Sequence, residues 1–306
     1  MTADSAAARR AAIAAGQAEP ISLIGWLRIA RRAALLILSL IVLVPLHYAY
    51  RTVHYGSPFP MLFLRWATWV VGARVVSHGV PLRRDVFFIS NHISWIDILA
   101  IAGASGTAFV AKAEAADVPV IGWLCRLNRT VFVRRENRNG VASQINALRE
   151  ALADNWSITV FPEGTTTDGQ SLLPFKTALL RVLEPPPPGV MVQPVMLDYG
   201  AIAEWIGWVG VEHGLDNAKR ILARRGTFPL HLHFLEPFDP GPHPGRKAIA
   251  AESRRRIEIA LEAALGKPLR PFAHDVGPVR YVAGPNDDPD SPGLDRPGLD
   301  STDRGL

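Results

Sequence analysis

The chain has 306 residues, which allows one large domain or two small ones, and its 48% hydrophobic content is enough to fill a sizeable core. Its 33 basic and 28 acidic residues give a formal net charge of +5 at pH 7. The single cysteine, Cys125, excludes an intrachain disulfide and a cysteine-based zinc cluster. The composition therefore excludes a small disulfide-stabilised scaffold.

The N-terminal part divides into two segments by composition and charge. Residues 1–20 are rich in alanine with little periodic apolar content, and we expect them to form a mobile arm. From Pro20 to Arg84 there is no Asp or Glu, whereas arginine occurs eight times. A basic segment of this kind favours an anionic surface such as a lipid membrane. Residues 21–80 are therefore predicted to be membrane-associating helices.

Two apolar runs lie within that segment. Residues 33–44 are apolar apart from Ser39, and the uncharged run continues to Tyr50, which is at the lower limit of what spans a bilayer. Residues 59–76 contain tryptophans and arginines, a composition typical of the membrane interface. Arginines ahead of the first run favour a cytoplasmic N-terminus. We expect the two runs to form a hairpin or to lie in one leaflet of the inner membrane, with the remaining chain cytoplasmic; the alternative is two core helices of a soluble protein.

The stretch Asp85–Ala100, DVFFISNHISWIDILA, predicts a strand, a polar turn and a helix. Ser94 is placed as the N-cap of the helix, and Asp97 stands three residues later, where a capping box has its acid. His92 lies in the turn. On one continuous helix His92 and Asp97 would point roughly 140° apart, but across a turn the imidazole can fold back onto the carboxylate.

Such a contact would fix the tautomer of His92 and leave its other ring nitrogen free to act as a general base toward a hydroxyl. In the alternative interpretation Asp97 only caps the helix and His92 is an ordinary turn residue. The H-x4-D spacing alone does not separate the two.

The string NHISWID at residues 91–97 resembles the first motif of the glycerolipid acyltransferases, in particular the 1-acyl-sn-glycerol-3-phosphate (lysophosphatidic acid) acyltransferases. Three further blocks follow in the order of that family, so the resemblance covers roughly residues 85–199. These blocks are TVFVRR at 130–135, FPEGT at 161–165 and VQPV at 192–195. Four ordered blocks make His92 and Asp97 the predicted catalytic pair.

The second motif contributes basic residues at the end of a predicted strand. Arg135 matches the arginine of the family, and the resemblance implies that it contacts the phosphate of the acceptor. Guanidinium geometry suits phosphate oxygens, so Arg134 and Arg138 are weaker candidates for the same task. Arg129 stands where the motif usually has a glycine, which predicts a different local turn.

The third motif is a loop after a predicted strand, and the resemblance assigns it to acceptor binding. Gly164 allows a close backbone approach, and Thr165 with its neighbouring threonines offers hydroxyls for an anion. A carboxylate at Glu163 repels phosphate, so this residue is expected to accept hydrogen bonds from acceptor hydroxyls or from the loop backbone. Lys176 is predicted to add a positive charge for phosphate or coenzyme A.

Strands alternate with helices over the remaining chain. The pattern predicts a helix at residues 141–155, strands at 157–161, 190–197 and 229–234, and a helix at 248–265. Pro194 indicates an edge or strand-end position. His231 and His233 share a strand face, but no further ligand accompanies them in the sequence, so no metal site is predicted. Residues 283–306 are expected to be a disordered acidic tail.

The predicted fold is α/β: a mixed, mostly parallel sheet flanked by helices in residues 81–282, with an N-terminal membrane-associating helical segment. The expected reaction transfers a fatty acyl group from acyl-CoA or acyl carrier protein to the free hydroxyl of a lysophospholipid, with 1-acyl-sn-glycerol-3-phosphate as the first choice of acceptor. No cofactor, metal or nucleic acid is expected. The alternatives are another lysolipid such as lyso-ornithine lipid, a non-catalytic membrane adaptor, and a metal-dependent hydrolase.

Overall fold

The computed structural model describes residues 3–54, 56–117, 121–133, 141–153 and 157–274. In this part of the chain one seven-stranded sheet forms the centre of the molecule, in the order β1-β7-β6-β2-β5-β3-β4. The strands are β1 Ala73–His78, β2 Val86–Ser90, β3 Ala108–Lys112, β4 Val131–Val133, β5 Ser157–Val160, β6 Met191–Asp198 and β7 Phe228–Phe234. Neighbouring pairs are parallel except β6 with β7, so the prediction of a mixed, mostly parallel α/β fold is confirmed.

Helices cover both faces of this sheet. They are α1 Ala3–Ala14, α2 Leu23–Arg51, α3 Phe59–Val71, α4 Ile96–Ser105, α5 Ile121–Leu127, α6 Val141–Ala153, α7 Ala203–Ile206, α8 Gly214–Ala223 and α9 Arg246–Leu265. All five residues of β2 are fully buried, because apolar side chains pack on both of its faces. Phe88 belongs to the core on one face, whereas Phe87 and Ile89 belong to the core on the other.

The long apolar helix α2 is mostly exposed. It is the one helix among the described residues that is long and apolar enough to cross a membrane, and only 6% of its most apolar window is buried. Its first turns nevertheless dock on the domain. Arg28 and Arg32 donate to backbone carbonyls at the end of α8, where the carbonyls of a helix lack partners within it.

Helix α3 packs on the α/β domain along one face and exposes the other. Phe63, Ala67 and Val70 are buried, whereas Trp66 and Trp69 are exposed and stack on each other with ring centroids 4.9 Å apart. Gly72 then ends the helix with φ +114°, and β1 begins at the next residue. Helix α3 therefore has one apolar face packed on the domain and another exposed.

Several sequence predictions differ from the structure, two of them in the N-terminal segment. Residues 3–14, predicted to be a mobile arm, form helix α1, whose Ile13 and Ala14 are buried. Strand β1 lies within the segment predicted to be membrane-associating helices, so the sheet begins before the expected boundary at residue 81. The apolar run hid this strand, because its pairing partner β7 lies about 150 residues away in the sequence.

Pro194, expected at a strand end, lies inside β6, which has a neighbour on each side. Proline has no N–H to donate toward β7, and the side chain of Gln193 donates in its place. Leu235 N donates to Pro194 O at 3.0 Å, and Gln193 Nε2 donates to Leu235 O at 3.0 Å, so the carbonyl of Leu235 is satisfied without the proline. The predicted acidic tail, 283–306, lies outside the described residues.

Candidate active site

The turn after β2 is fixed to the sheet on both sides of His92. Asn91 is buried and extends the ladder between β2 and β6: its Nδ2 donates to Leu197 O at 3.0 Å and its Oδ1 accepts from Leu197 N at 2.8 Å. The carbonyl of His92 accepts from Thr167 N at 2.8 Å. His92 therefore stands at the carboxyl end of a central strand, where open α/β sheets place their sites.

Asp97 connects this turn to the start of α4. Its side chain is fully buried. Oδ2 lies 2.8 Å from His92 Nδ1 and accepts from the backbone N–H groups of Ile93 at 2.7 Å and Ser94 at 2.9 Å. The sequence left open whether Asp97 caps the helix or contacts the imidazole, and in the structure one carboxylate oxygen does both.

The predicted N-cap lies one residue away from the observed one. Helix α4 begins at Ile96 with Trp95 at the cap position, and Ser94 Oγ is 3.5 Å from Ile96 N. The bond from Ser94 N–H to Asp97 is the half of a capping box in which the acid reaches back. The helix start is therefore held mainly by the carboxylate.

The structure adds one residue to this site that sequence reasoning missed. Tyr199 follows β6, is fully buried, and donates its hydroxyl to Asp97 Oδ1 at 2.6 Å. Burial, and then the neighbouring carboxylate, raise the pKa of Tyr199 well above its usual value of 10, so the hydroxyl stays a donor. The two residues lie 102 positions apart, and no local pattern indicates their contact.

The imidazole of His92 is held by its own packing as well. Its ring stacks on Phe161 with centroids 3.9 Å apart and an interplanar angle of 14°. The side chain is 16% exposed, and within the described chain no residue hydrogen-bonds Nε2. Since Nδ1 faces Asp97, Nε2 is the atom that can take a proton from a hydroxyl.

Glu163 lies behind the turn and is buried, with 1% of the residue exposed. Its Oε1 accepts from His92 N and its Oε2 from Leu173 N, both at 2.8 Å. Burial raises the pKa of Glu163 to about 8, and the two backbone N–H groups oppose this shift. Glu163 was predicted to accept hydrogen bonds either from acceptor hydroxyls or from the loop backbone. In the structure both of its carboxyl oxygens accept from backbone N–H groups, one of them that of His92.

In the third-motif loop, fewer threonine hydroxyls are available to a ligand than the sequence predicts. Thr167 uses its N–H and hydroxyl on His92 O, and Thr166 donates its hydroxyl to Trp208 O. Thr165 is partly exposed on the same loop. Gly164 has φ +75°, and a Cβ there would lie 2.7 Å from Lys176 Nζ, so the lysine side chain lies directly over this glycine. Lys176 is bound to the loop through its N–H, which donates to Pro162 O at 2.8 Å.

The structure thus brings His92, Asp97 and Glu163 into one hydrogen-bonded unit, with Gly164, Thr165 and Lys176 on the adjoining loop. Arg135, the predicted phosphate ligand, lies outside the described residues together with Arg134 and Arg138. A cavity of about 550 Å³ occurs elsewhere, at the amino ends of the strands. Its lining includes Ala108 and Ser157, the first residues of β3 and β5, and several arginines, so it is separate from the turn that holds His92.

Comparison with known proteins places the chain among acyltransferases. Residues 72–198 match the family model named Acyltransferase. The lyso-ornithine lipid O-acyltransferase of Rhizobium meliloti is 32% identical over 260 residues, covering 78% of this chain and 87% of that protein. The corresponding enzyme of Brucella abortus is 31% identical over 264 residues, covering 79% of this chain and 97% of that protein.

A shorter match covers the motif region. The 1-acyl-sn-glycerol-3-phosphate acyltransferase of Neisseria gonorrhoeae is 36% identical over 96 residues, covering 31% of this chain and 38% of that protein. Among solved structures, the 1-acyl-sn-glycerophosphate acyltransferase PlsC of Thermotoga maritima superposes with a TM-score of 0.51 at 25% identity, covering 67% of this chain and 77% of that one. The predicted family and the predicted enzyme class are therefore confirmed: the chain belongs to the glycerolipid acyltransferase family, which includes lyso-ornithine lipid and 1-acyl-sn-glycerol-3-phosphate acyltransferases, and is an acyltransferase that acts on lysolipids.

Proposed function

We propose that the protein transfers a fatty acyl group from an acyl thioester directly to the free hydroxyl of lyso-ornithine lipid. The observation that carries the reaction is the 2.8 Å contact between His92 Nδ1 and the buried Asp97, with Nε2 left open at the end of a central strand. In this proposal Nε2 takes the proton of the acceptor hydroxyl while its oxygen attacks the thioester carbonyl, and the imidazole then returns the proton to the leaving thiolate.

Asp97 holds and stabilises the imidazolium that forms in this step, as the acid of a catalytic triad does. Glu163 is a positioning residue that keeps the backbone of His92 in place. The N–H groups of Ile93 and Ser94 donate to Asp97, so donors for the oxyanion come from another part of the site. We assign Gly164, Thr165 and Lys176 to anionic groups of the donor or acceptor.

The acceptor proposed here differs from the first choice made from motifs alone. The R. meliloti and B. abortus relatives named for lyso-ornithine lipid match 78% and 79% of this chain, whereas the Neisseria relative named for 1-acyl-sn-glycerol-3-phosphate matches 31% of it. The second candidate acceptor is 1-acyl-sn-glycerol-3-phosphate. It is supported by the 1-acyl-sn-glycerophosphate acyltransferase of T. maritima, whose structure matches 67% of this chain. The two lipids differ in charge, because lyso-ornithine lipid has no phosphate.

A direct comparison of the two acceptors tests this choice. Purified full-length protein is supplied with acyl-CoA, or with acyl carrier protein in a parallel series, and thiol release is followed with each lysolipid. We expect kcat/KM for lyso-ornithine lipid to be at least tenfold higher. If 1-acyl-sn-glycerol-3-phosphate reacts faster, the acceptor assignment is wrong while the acyl transfer stands, and Arg135→Ala should then raise KM for that phosphate-bearing acceptor.

We further propose that the protein acts at the cytoplasmic face of the inner membrane. Helix α2 exposes apolar side chains along its length, and α3 adds Trp66 and Trp69 beside it. Both ends of the α2–α3 pair meet the α/β domain, through Arg32 at one end and β1 at the other. This arrangement supports a hairpin or a surface-lying pair, with the catalytic domain and the acyl thioester on the same side. Membrane pelleting without detergent tests it, since a wholly soluble protein would contradict the proposal.

A further inference from the structure

A cluster of three histidines lies on the sheet away from the site described above. His231 and His233 are on β7, two residues apart and therefore on the same sheet face. His78 is the last residue of the neighbouring parallel strand β1, where it pairs in register with His233, and Val76 pairs with His231. Sequence reasoning considered only the two histidines of β7, because the third belongs to a strand that it did not predict.

The ring nitrogens of this cluster converge. His78 Nε2 lies 3.0 Å from His231 Nδ1, and one nitrogen from each of the three rings lies within 4.8 Å of the others. Two ligands of a tetrahedral zinc ion with Zn–N bonds of about 2.0–2.1 Å are about 3.3 Å apart. One pair is thus already near the required separation. The ring of His233 stacks on that of His78 with centroids 4.2 Å apart, so His233 must turn about its side-chain torsions to complete the site.

The chemical groups in and around the three-histidine cluster favour a bound cation. Neutral imidazole is the form that binds metal ions. Asp198 lies opposite His231 in the register of β6 and β7. A carboxylate beside three imidazoles favours a bound cation over an empty cluster.

We propose that His78, His231 and His233 bind one Zn²⁺ ion, with a fourth position open to water. Three histidines from adjacent strands are a ligand set that zinc accepts, and borderline-soft imidazole nitrogens disfavour Mg²⁺ and Ca²⁺. The ion joins the edge strand β1 to β7. Because β1 follows α3 after a single glycine, the site fastens the sheet at the point where the chain leaves the exposed helices.

The ion lies apart from the reacting groups of acyl transfer. Strand β6 lies between β7 and β2, the strand that carries His92, so the cluster does not meet the imidazole that takes the acceptor proton. We expect dialysis against a chelator to lower the thermal unfolding temperature and to leave acyl transfer at low temperature within twofold of the untreated enzyme. The inference does not depend on the proposed acceptor or on the proposed mechanism.

The test is metal binding by the full-length protein, purified without a histidine tag. Equilibrium dialysis against Zn²⁺ should give one saturable site per chain, and Co²⁺ should give the visible absorption of a four-coordinate ion. His78→Ala and His231→Ala should each weaken Zn²⁺ binding at least tenfold and remove the thermal shift. His243→Ala, a histidine outside the cluster, is the matched control and should bind as the wild type does.

Two results would overturn the assignment: the absence of a saturable one-to-one site in the wild type, or a His78→Ala protein with wild-type affinity. Far-ultraviolet circular dichroism shows whether each variant folds. If an alanine variant does not fold, His78→Gln is used instead, because it keeps a polar side chain of similar size on the edge strand. Equal Zn²⁺ affinity in folded His78→Gln and in the wild type contradicts the site equally.

Discussion

Glu163→Gln tests whether the buried carboxyl holds the turn of His92. In the wild type one oxygen accepts from His92 N and the other from Leu173 N. A glutamine has one acceptor oxygen, so one of these two N–H groups loses its partner and faces an NH₂ group. A buried N–H group without an acceptor lowers the free energy of unfolding by about 1–3 kcal/mol. We expect acyl transfer to fall about 10- to 100-fold as well, since His92 is then less well placed.

The same substitution changes how stability depends on pH. Glu163 has a pKa of about 8 in the folded protein against an ordinary value of 4.5, a difference that corresponds to about 5 kcal/mol. Because the folded state binds this proton more tightly, the contribution is fully present below about pH 4.5. It is lost at up to about 1.4 kcal/mol per pH unit as the pH rises to about 8. Glutamine does not titrate, so this loss is absent from the variant.

The assay is thermal unfolding of the purified protein at a series of pH values from 5 to 8.5. Wild type should lose stability over this range more steeply than Glu163→Gln. Its advantage over the variant should therefore be largest at low pH and should shrink as the pH rises. Glu236→Gln is the matched control, because Glu236 is exposed, and it should follow the wild type. Parallel curves for wild type and Glu163→Gln would refute the reasoning.

Three further substitutions address the remaining parts of the account. Asp97→Asn should lower kcat by about 10³ to 10⁴ with little change in KM, because the amide no longer stabilises the imidazolium; steady-state kinetics with a kcat loss below tenfold would contradict this. Tyr199→Phe removes one of the hydrogen bonds that hold the carboxylate of Asp97, so His92 is oriented less firmly and kcat should fall about tenfold with little change in KM; an unchanged kcat would argue against the contact. Trp69→Glu on the exposed face of α3 should weaken binding to anionic vesicles about tenfold in a sedimentation assay. Val211→Glu, at a residue that is also exposed but lies outside α2 and α3, should not.

The local parts of the site could be predicted from the sequence. The apolar run before Ser90 and the capping pattern at Asp97 are signals within a few residues, and the strand-turn-helix forms as they indicate. The family motifs singled out Glu163, and the structure places it against the same turn. A local pattern indicates which type of element forms and which residues belong to it.

Contacts between distant elements could not be predicted in this way. Tyr199 reaches Asp97 only because β6 lies next to β2, and His78 meets His231 only because β1 pairs with β7. Strand β1 was hidden in an apolar run that also suits a membrane segment. The pairing of strands about 100 residues or more apart depends on the whole fold and leaves no periodicity in the sequence.

The central claim is that His92, oriented by Asp97, activates the acceptor hydroxyl. The most direct measurement is thiol release by purified His92→Ala with lyso-ornithine lipid and an acyl thioester, beside wild type and with thermal unfolding as the check on folding. We expect folded His92→Ala protein to show no transfer above the uncatalysed rate. Turnover near that of the wild type in the folded His92→Ala protein would contradict it.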